Sequence, residues 1–120
     1  MSIDSLFTET QKTLLQVNYA KALDLGFEQP NFKPVACLRV PRAGYTFLVT
    51  QQVANDPRCV MCLADYGPQH DLRLTVLDLN NPEYEANRYG GLVPDPEFDG
   101  KYNLAIYAKV ADLMGAIVTD

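Results

Sequence analysis

"RCVMCLADYG" (residues 58–67) sets two cysteines three apart and runs on into an acidic residue, an aromatic and a glycine. It reads either as half of a metal or redox motif or as the middle of a buried strand. Side chains alternate faces along a strand, so Cys59 and Cys62 would point in opposite directions and could not grip one ion. A zinc knuckle needs a tight turn between its cysteines, and Val60-Met61 is a poor turn pair. A thioredoxin-type pair needs its first cysteine at a helix start, where the dipole lowers the thiol pKa. Cys59 instead follows Arg58 inside an apolar run with no helical signal. The strand reading wins, and free cysteine is among the most buried residue types.

The same period extends outward. "PVACLRVPRAGYTFLVTQQV" (34–53) reads as two strands, 35–40 and 45–52, joined by a turn at Pro41-Arg42-Ala43-Gly44. Residues 59–64 form a third strand, apolar without a break, which suggests cover on both sides. Residues 72–77 form a fourth, where Leu72, Leu74 and Val76 alternate with Arg73 and Thr75 and suggest a buried and a wetter face. In a meander the first and third strands lie about 9–10 Å apart. That spacing disfavours a metal set built from Cys37, Cys59, Cys62 and His70, so no metal and no cofactor is expected.

Helices flank the strands. Thr8 and Gln11 have capping-box spacing ahead of a helix over 9–25, which Gly26 would stop. Asn103 can cap a last helix over 104–114, ended by Gly115, with Leu104, Tyr107, Val110, Ala111 and Met114 on one face. Residues 83–89 suit a turn or two of helix, and "LVPDPEFDGKY" (92–102) suits an exposed loop. The expected architecture is a single α+β domain over residues 1–120. It is a four-stranded antiparallel meander sheet with the N-terminal and C-terminal helices packed on one face.

Composition narrows function by exclusion. The 120 residues are 48% hydrophobic and carry a net charge of -5. The first half holds six basic against five acidic residues, and the second half four against ten. No basic stripe of the kind that neutralises phosphates is visible, so direct nucleic-acid binding is not expected. No apolar run approaches the ~20 residues of a membrane span. The start of the chain lacks a basic n-region and an apolar h-region, and the three cysteines are odd in number. Both features suit a cytoplasmic protein with reduced thiols.

Two clusters are candidate sites. Asp65, Tyr66, His70 and Asp71 lie around one turn, where a His–Asp neighbourhood can serve acid–base chemistry or simply form a polar loop. Glu83, Glu85, Asp95, Glu97 and Asp99 form an acidic segment, interleaved with Tyr84, Tyr89, Phe98 and Tyr102. Such a segment can dock on a protein with a basic surface or stand as a solvated face. An exposed strand edge at 35–40 or 72–77 can pair in a dimer, so both monomer and homodimer are open.

The chain also resembles a known family. "LLQVNYAKA" (14–22), "KPVACLRVPRAGYTFLVT" (33–50), "DPRCVMCLADYG" (56–67) and "LRLTVLDL" (72–79) carry the resemblance. The matching positions are Leu14-Leu15 with Asn18, Pro34-Val35 with Leu38, and Thr46 with Leu48 and Thr50. Leu63 with Asp65 and Gly67, and Leu74 with Leu77, continue the pattern. The family is one of small bacterial domains of unknown function, common on plasmids and integrative conjugative elements. The resemblance implies a bacterial, cytoplasmic domain associated with mobile elements, and the leading expectation is a non-enzymatic accessory or interaction module of such an element, docking through the acidic segment. The rival expectation is a small enzyme or ligand-binding domain using the Asp65–Asp71 loop.

Overall fold

Local capping starts the first helix. In the computed structural model, which describes residues 6–25, 31–53, 56–67, 72–80 and 91–119, α1 spans Glu9–Leu25. The Gln11 N–H donates to Thr8 Oγ1 (3.1 Å) and the Thr8 N–H to Gln11 Oε1 (2.9 Å), a reciprocal capping box. Lys12 bridges to Glu9 across one turn at 3.1 Å.

The strands are β1 (Ala36–Val40), β2 (Tyr45–Val53), β3 (Asp56–Asp65), β4 (Arg73–Asp78) and β5 (Val93–Pro94). They form one antiparallel sheet in the order β4-β3-β2-β1-β5. The four-stranded meander is present as expected, and a fifth strand is added to it. β5 pairs Leu38 with Pro94 and Arg39 with Val93 inside the segment expected to be loop. It is two residues long and half proline, too short to leave a period in the sequence.

Both faces of the sheet are covered. On one, Ala36, Leu38, Val40, Phe47, Val49, Val60, Cys62, Ala64 and Leu77 pack with Leu6, Phe7 and Leu15 of the N-terminal region. On the other, Cys37, Leu48 and Leu63 pack with Leu104 and Tyr107 of α2 (Leu104–Met114). This corrects the expectation that both helices share one face. The central strands carry apolar side chains on alternate and intervening positions alike, and only a layer on each side removes both sets from water.

A β-bulge joins α1 to the sheet. Val49 pairs with Cys62 and Gln51 with Met61, so Thr50 is an extra residue on β2. The Asn18 side-chain amide donates to the Thr50 carbonyl at 2.8 Å, and both residues are buried. The Thr50 hydroxyl turns to the Met61 carbonyl at 3.4 Å.

In β4 the buried side is the reverse of that expected. Leu77 and Leu79 are buried, whereas Leu74 and Val76 are exposed. Leu77 opposes Val60 and so faces the α1 side, where the core extends to the sheet's edge. In α2, Leu104, Tyr107 and Ala111 are buried, but Val110 and Met114 are exposed.

The start of α2 is capped from a distance. Asn103 holds the cap position with extended backbone, but its side chain makes no capping bond. Instead the Leu104 N–H donates to the Phe32 carbonyl (2.8 Å) and the Ala105 N–H to Asn31 Oδ1 (3.0 Å). Gly115 closes the helix at φ 80°, its N–H donating to the Ala111 carbonyl. Loss of a side-chain cap costs about 1 kcal/mol. Asn31→Ala should therefore lower unfolding stability by that amount, while Asn103→Ala should leave the urea midpoint nearly unchanged.

Candidate functional site

Asp65 and Tyr66 are adjacent in sequence but look to opposite faces. Tyr66 lies edge-on to Tyr45 (centroids 5.1 Å) and Phe47 (5.7 Å) on the α1 side. Asp65 is buried on the α2 side, where its two oxygens accept backbone N–H groups from Gly67 (2.9 Å) and Ile117 (3.0 Å). These bonds hold the turn after β3 and the chain end after α2, a positioning role. His70 and Asp71 lie outside the described residues.

Asp65 belongs to a row running across three strands: Arg39 opposes Thr46, and Thr46 opposes Asp65. Arg39 donates to Thr46 Oγ1 (3.3 Å), to Thr119 Oγ1 (3.1 Å) and to Asp95 Oδ2 (3.4 Å). The row stitches the C-terminal tail and the β5 loop to the sheet.

That row also removes Asp95 from the acidic surface set. Asp95 is partly buried against Arg39, its other oxygen accepts the Glu97 N–H (3.1 Å), and its own N–H donates to the Cys37 carbonyl (3.0 Å). Glu97 and Asp99 are exposed. The Asp99 carbonyl accepts from the Tyr107 hydroxyl at 3.5 Å, which places this loop beside the first turn of α2. Gly100 packs directly on Pro34, where a Cβ would collide with the proline carbonyl. Glu83 and Glu85 lie outside the described residues.

The thiols are held apart, as alternation along β3 requires. Cys37 belongs to the α2-side cluster, Cys62 to the α1-side cluster, and Cys59 to neither. Burial pushes the Cys37 thiol from its ordinary 9.0 up to about 11 and the Cys62 thiol up to about 12. Cys59 is also raised, first by partial burial and then by the negative Asp56 and Asp78. Arg58, which would favour a thiolate, is bonded to Asp56 at 3.1 and 3.2 Å. All three shifts oppose nucleophilic or ligating sulfur. Among the described residues no three His, Cys, Asp or Glu side chains are grouped to hold a metal ion.

A cleft of about 510 Å³ lies between α1 and the 98–103 loop, lined by Asn18, Lys21, Asn31, Lys33 and Asp99 among others. The Asn18 and Asn31 side chains there are already bonded to Thr50 and Ala105. A second cleft, between α1 and the β2–β3 end, is lined by Gln16, Tyr19, Leu23 and Gln52. Asp65 and Tyr66 line neither cleft.

What the sequence reading missed is exposed apolar surface. α2 presents Ile106, Val110, Leu113 (76% exposed) and Met114 (69%) to solvent. Ile106, Val110 and Leu113 recur at helical spacing and form one stripe beside the buried Leu104–Tyr107–Ala111 face, and Met114, seven residues after Tyr107, is exposed where the helix ends. Ile106 and Leu113 were the available signal, being apolar yet outside the stripe assigned to the core. No described helix is long and apolar enough to cross a membrane. No protein-family model, curated protein or solved structure matches the chain.

The raised thiols make stability fall at alkaline pH. Below pH 9 they are protonated in both folded and unfolded chains and contribute no pH dependence. Between pH 9 and about 12 the unfolded chain releases protons that Cys37 and Cys62 retain in the fold. The melting temperature should therefore decline from pH 9 upward, and less steeply in a Cys37→Ala/Cys62→Ala variant. In mildly alkaline buffer iodoacetamide should label Cys59 ahead of the other two, with all three labelling in urea.

Proposed function

We propose that the protein is a non-enzymatic interaction module that docks on another protein through the solvent face of α2 and the acidic loop beside it. The observation that carries this reading is the α2 stripe of Ile106, Val110, Leu113 and Met114. The neighbouring face of the helix is already committed to the sheet through Leu104 and Tyr107. Large exposed apolar side chains gathered on one helix face are a docking surface in a soluble domain. Glu97 and Asp99 stand exposed where the loop meets the helix. Together with Glu83 and Glu85 they favour a partner with a basic surface. The resemblance to small domains of bacterial plasmids and conjugative elements would place that partner among the proteins of such an element, in the cytoplasm.

Support also comes from the residues that might have done chemistry. The Asp65 carboxylate is committed to backbone N–H groups, and the Cys37 and Cys62 thiols are buried on opposite faces with the half-buried Cys59 apart from both. The test is affinity capture from a plasmid-bearing bacterial host at low and high salt. It compares the natural chain with Leu113→Ser/Met114→Ser and with a variant carrying Glu83→Gln, Glu85→Gln, Glu97→Gln and Asp99→Asn. Asp95 is left intact because it holds the fold. Capture of a basic protein that weakens at least about tenfold in both variants, and at high salt, is the expected result. Capture indifferent to both sets of substitutions would overturn the reading.

A further inference from the structure

We propose that β4 is a self-pairing edge, through which two copies of the chain join in one continuous antiparallel sheet about a two-fold axis. β4 ends the sheet on one side, while the other end is closed by β5, only two residues long and half proline. Among the described residues no strand lies along the outer side of β4.

The backbone of that outer side is oriented for pairing. The Leu79 N–H donates to the Arg58 carbonyl at 2.8 Å, so Leu79 aims its backbone groups at β3. Backbone polar groups alternate sides along an antiparallel strand. Arg73, Thr75 and Leu77 therefore also aim inward, and Leu74 and Val76 aim outward. The same two residues carry the exposed side chains, Leu74 at 55% and Val76 at 49%. Edge strands are ordinarily protected by central charges, proline or a bulge. The middle of β4, Leu74-Thr75-Val76-Leu77, has none of these.

The occupant that fits is a second copy, because the strand is complementary to itself. A two-fold axis normal to the sheet places each residue opposite one on the same face. With Thr75 on its own image, Leu74 falls opposite Val76 of the second copy, and Val76 opposite its Leu74. Those are the residues whose backbone groups point outward, so each exchanges both of its hydrogen bonds with the copy. Thr–Thr and apolar cross-strand pairs are favourable neighbours. Charge disfavours the parallel alternative, in which Arg73 would lie beside Arg73 and Asp78 beside Asp78 of the copy, whereas the antiparallel register sets Arg73 opposite Leu77 and Asp78 opposite Leu72. The seam makes an isologous contact that closes on itself.

This surface is separate from the one on α2, and the two readings fail separately. Sedimentation equilibrium over a wide concentration range should show the 13.4 kDa chain passing to twice that mass. Leu74→Lys and Val76→Lys, at exposed positions that leave the far-UV circular dichroism unchanged, should each weaken dimerisation by about tenfold or more. In a Cys59→Ser background, Thr75→Cys should crosslink to its own copy under mild oxidation, whereas Arg73→Cys should not. A chain that stays at monomer mass throughout overturns the proposal. So does a dimer indifferent to both lysines, or one in which Arg73→Cys crosslinks and Thr75→Cys does not.

Discussion

The hydrogen bond from the Asn18 amide to the Thr50 carbonyl is the constraint on which the arrangement of layers depends. The bulge at Thr50 takes one residue out of the β2–β3 ladder and leaves its carbonyl without a strand partner in a buried place. An unsatisfied buried acceptor costs about 1–3 kcal/mol. Asn18 supplies the missing donor from α1 and so ties helix to sheet at one point and in one register. Among the described side chains of α1 the apolar contact is narrow, with Leu15 buried and Leu14, Val17 and Leu23 exposed. A polar anchor specifies the seating of a helix that a few leucines would leave free to slide.

The opposite layer is held by a different device. There the row Arg39–Thr46–Asp65 reaches past the end of α2 and binds the chain after it, through Ile117 and Thr119. Side chains that look reactive in isolation are thus structural on this face. Asp65 spends its charge on two N–H groups, and Asp95 spends its own on Arg39 and on a turn. Among the described residues, Asp65 and Asp95 are thereby committed to holding this layer together. Large apolar side chains remain outward on α2 (Ile106, Val110, Leu113 and Met114) and on β4 (Leu74 and Val76), with the exposed Glu97 and Asp99 in the loop before α2.

Much of the fold was legible because its causes are local. The capping box at Thr8 and Gln11 and the turn ending in Gly44 (φ 73°) depend on neighbours in sequence. The period of two through residues 36–78 gave four strands in the right order. What was not legible depends on the third dimension. Periodicity says which side chains are buried but not against which layer, so α1 and α2 were assigned to one face although the unbroken run at 60–64 required two. In β4 the alternation was seen and its sign reversed. Leu74 and Val76 resemble a core pair, and only Leu77-Asp78-Leu79, with its charge on the other parity, marks the true buried side. The cap of α2 escaped because Asn31 stands 74 residues from the N–H it accepts. Of the candidate-site residues that are described, the bonds of Asp65 and Asp95 within the fold were not legible, since a carboxylate's partners across a sheet leave no trace in spacing.

The central claim is that a single side-chain amide completes the bulge and fixes α1. Urea unfolding of Asn18→Leu tests it most directly, because leucine keeps bulk and adds apolar surface while removing the donor. The account predicts a loss of about 1–3 kcal/mol with an unchanged slope. A loss below about 0.5 kcal/mol, the scale of an ordinary surface substitution, would contradict it.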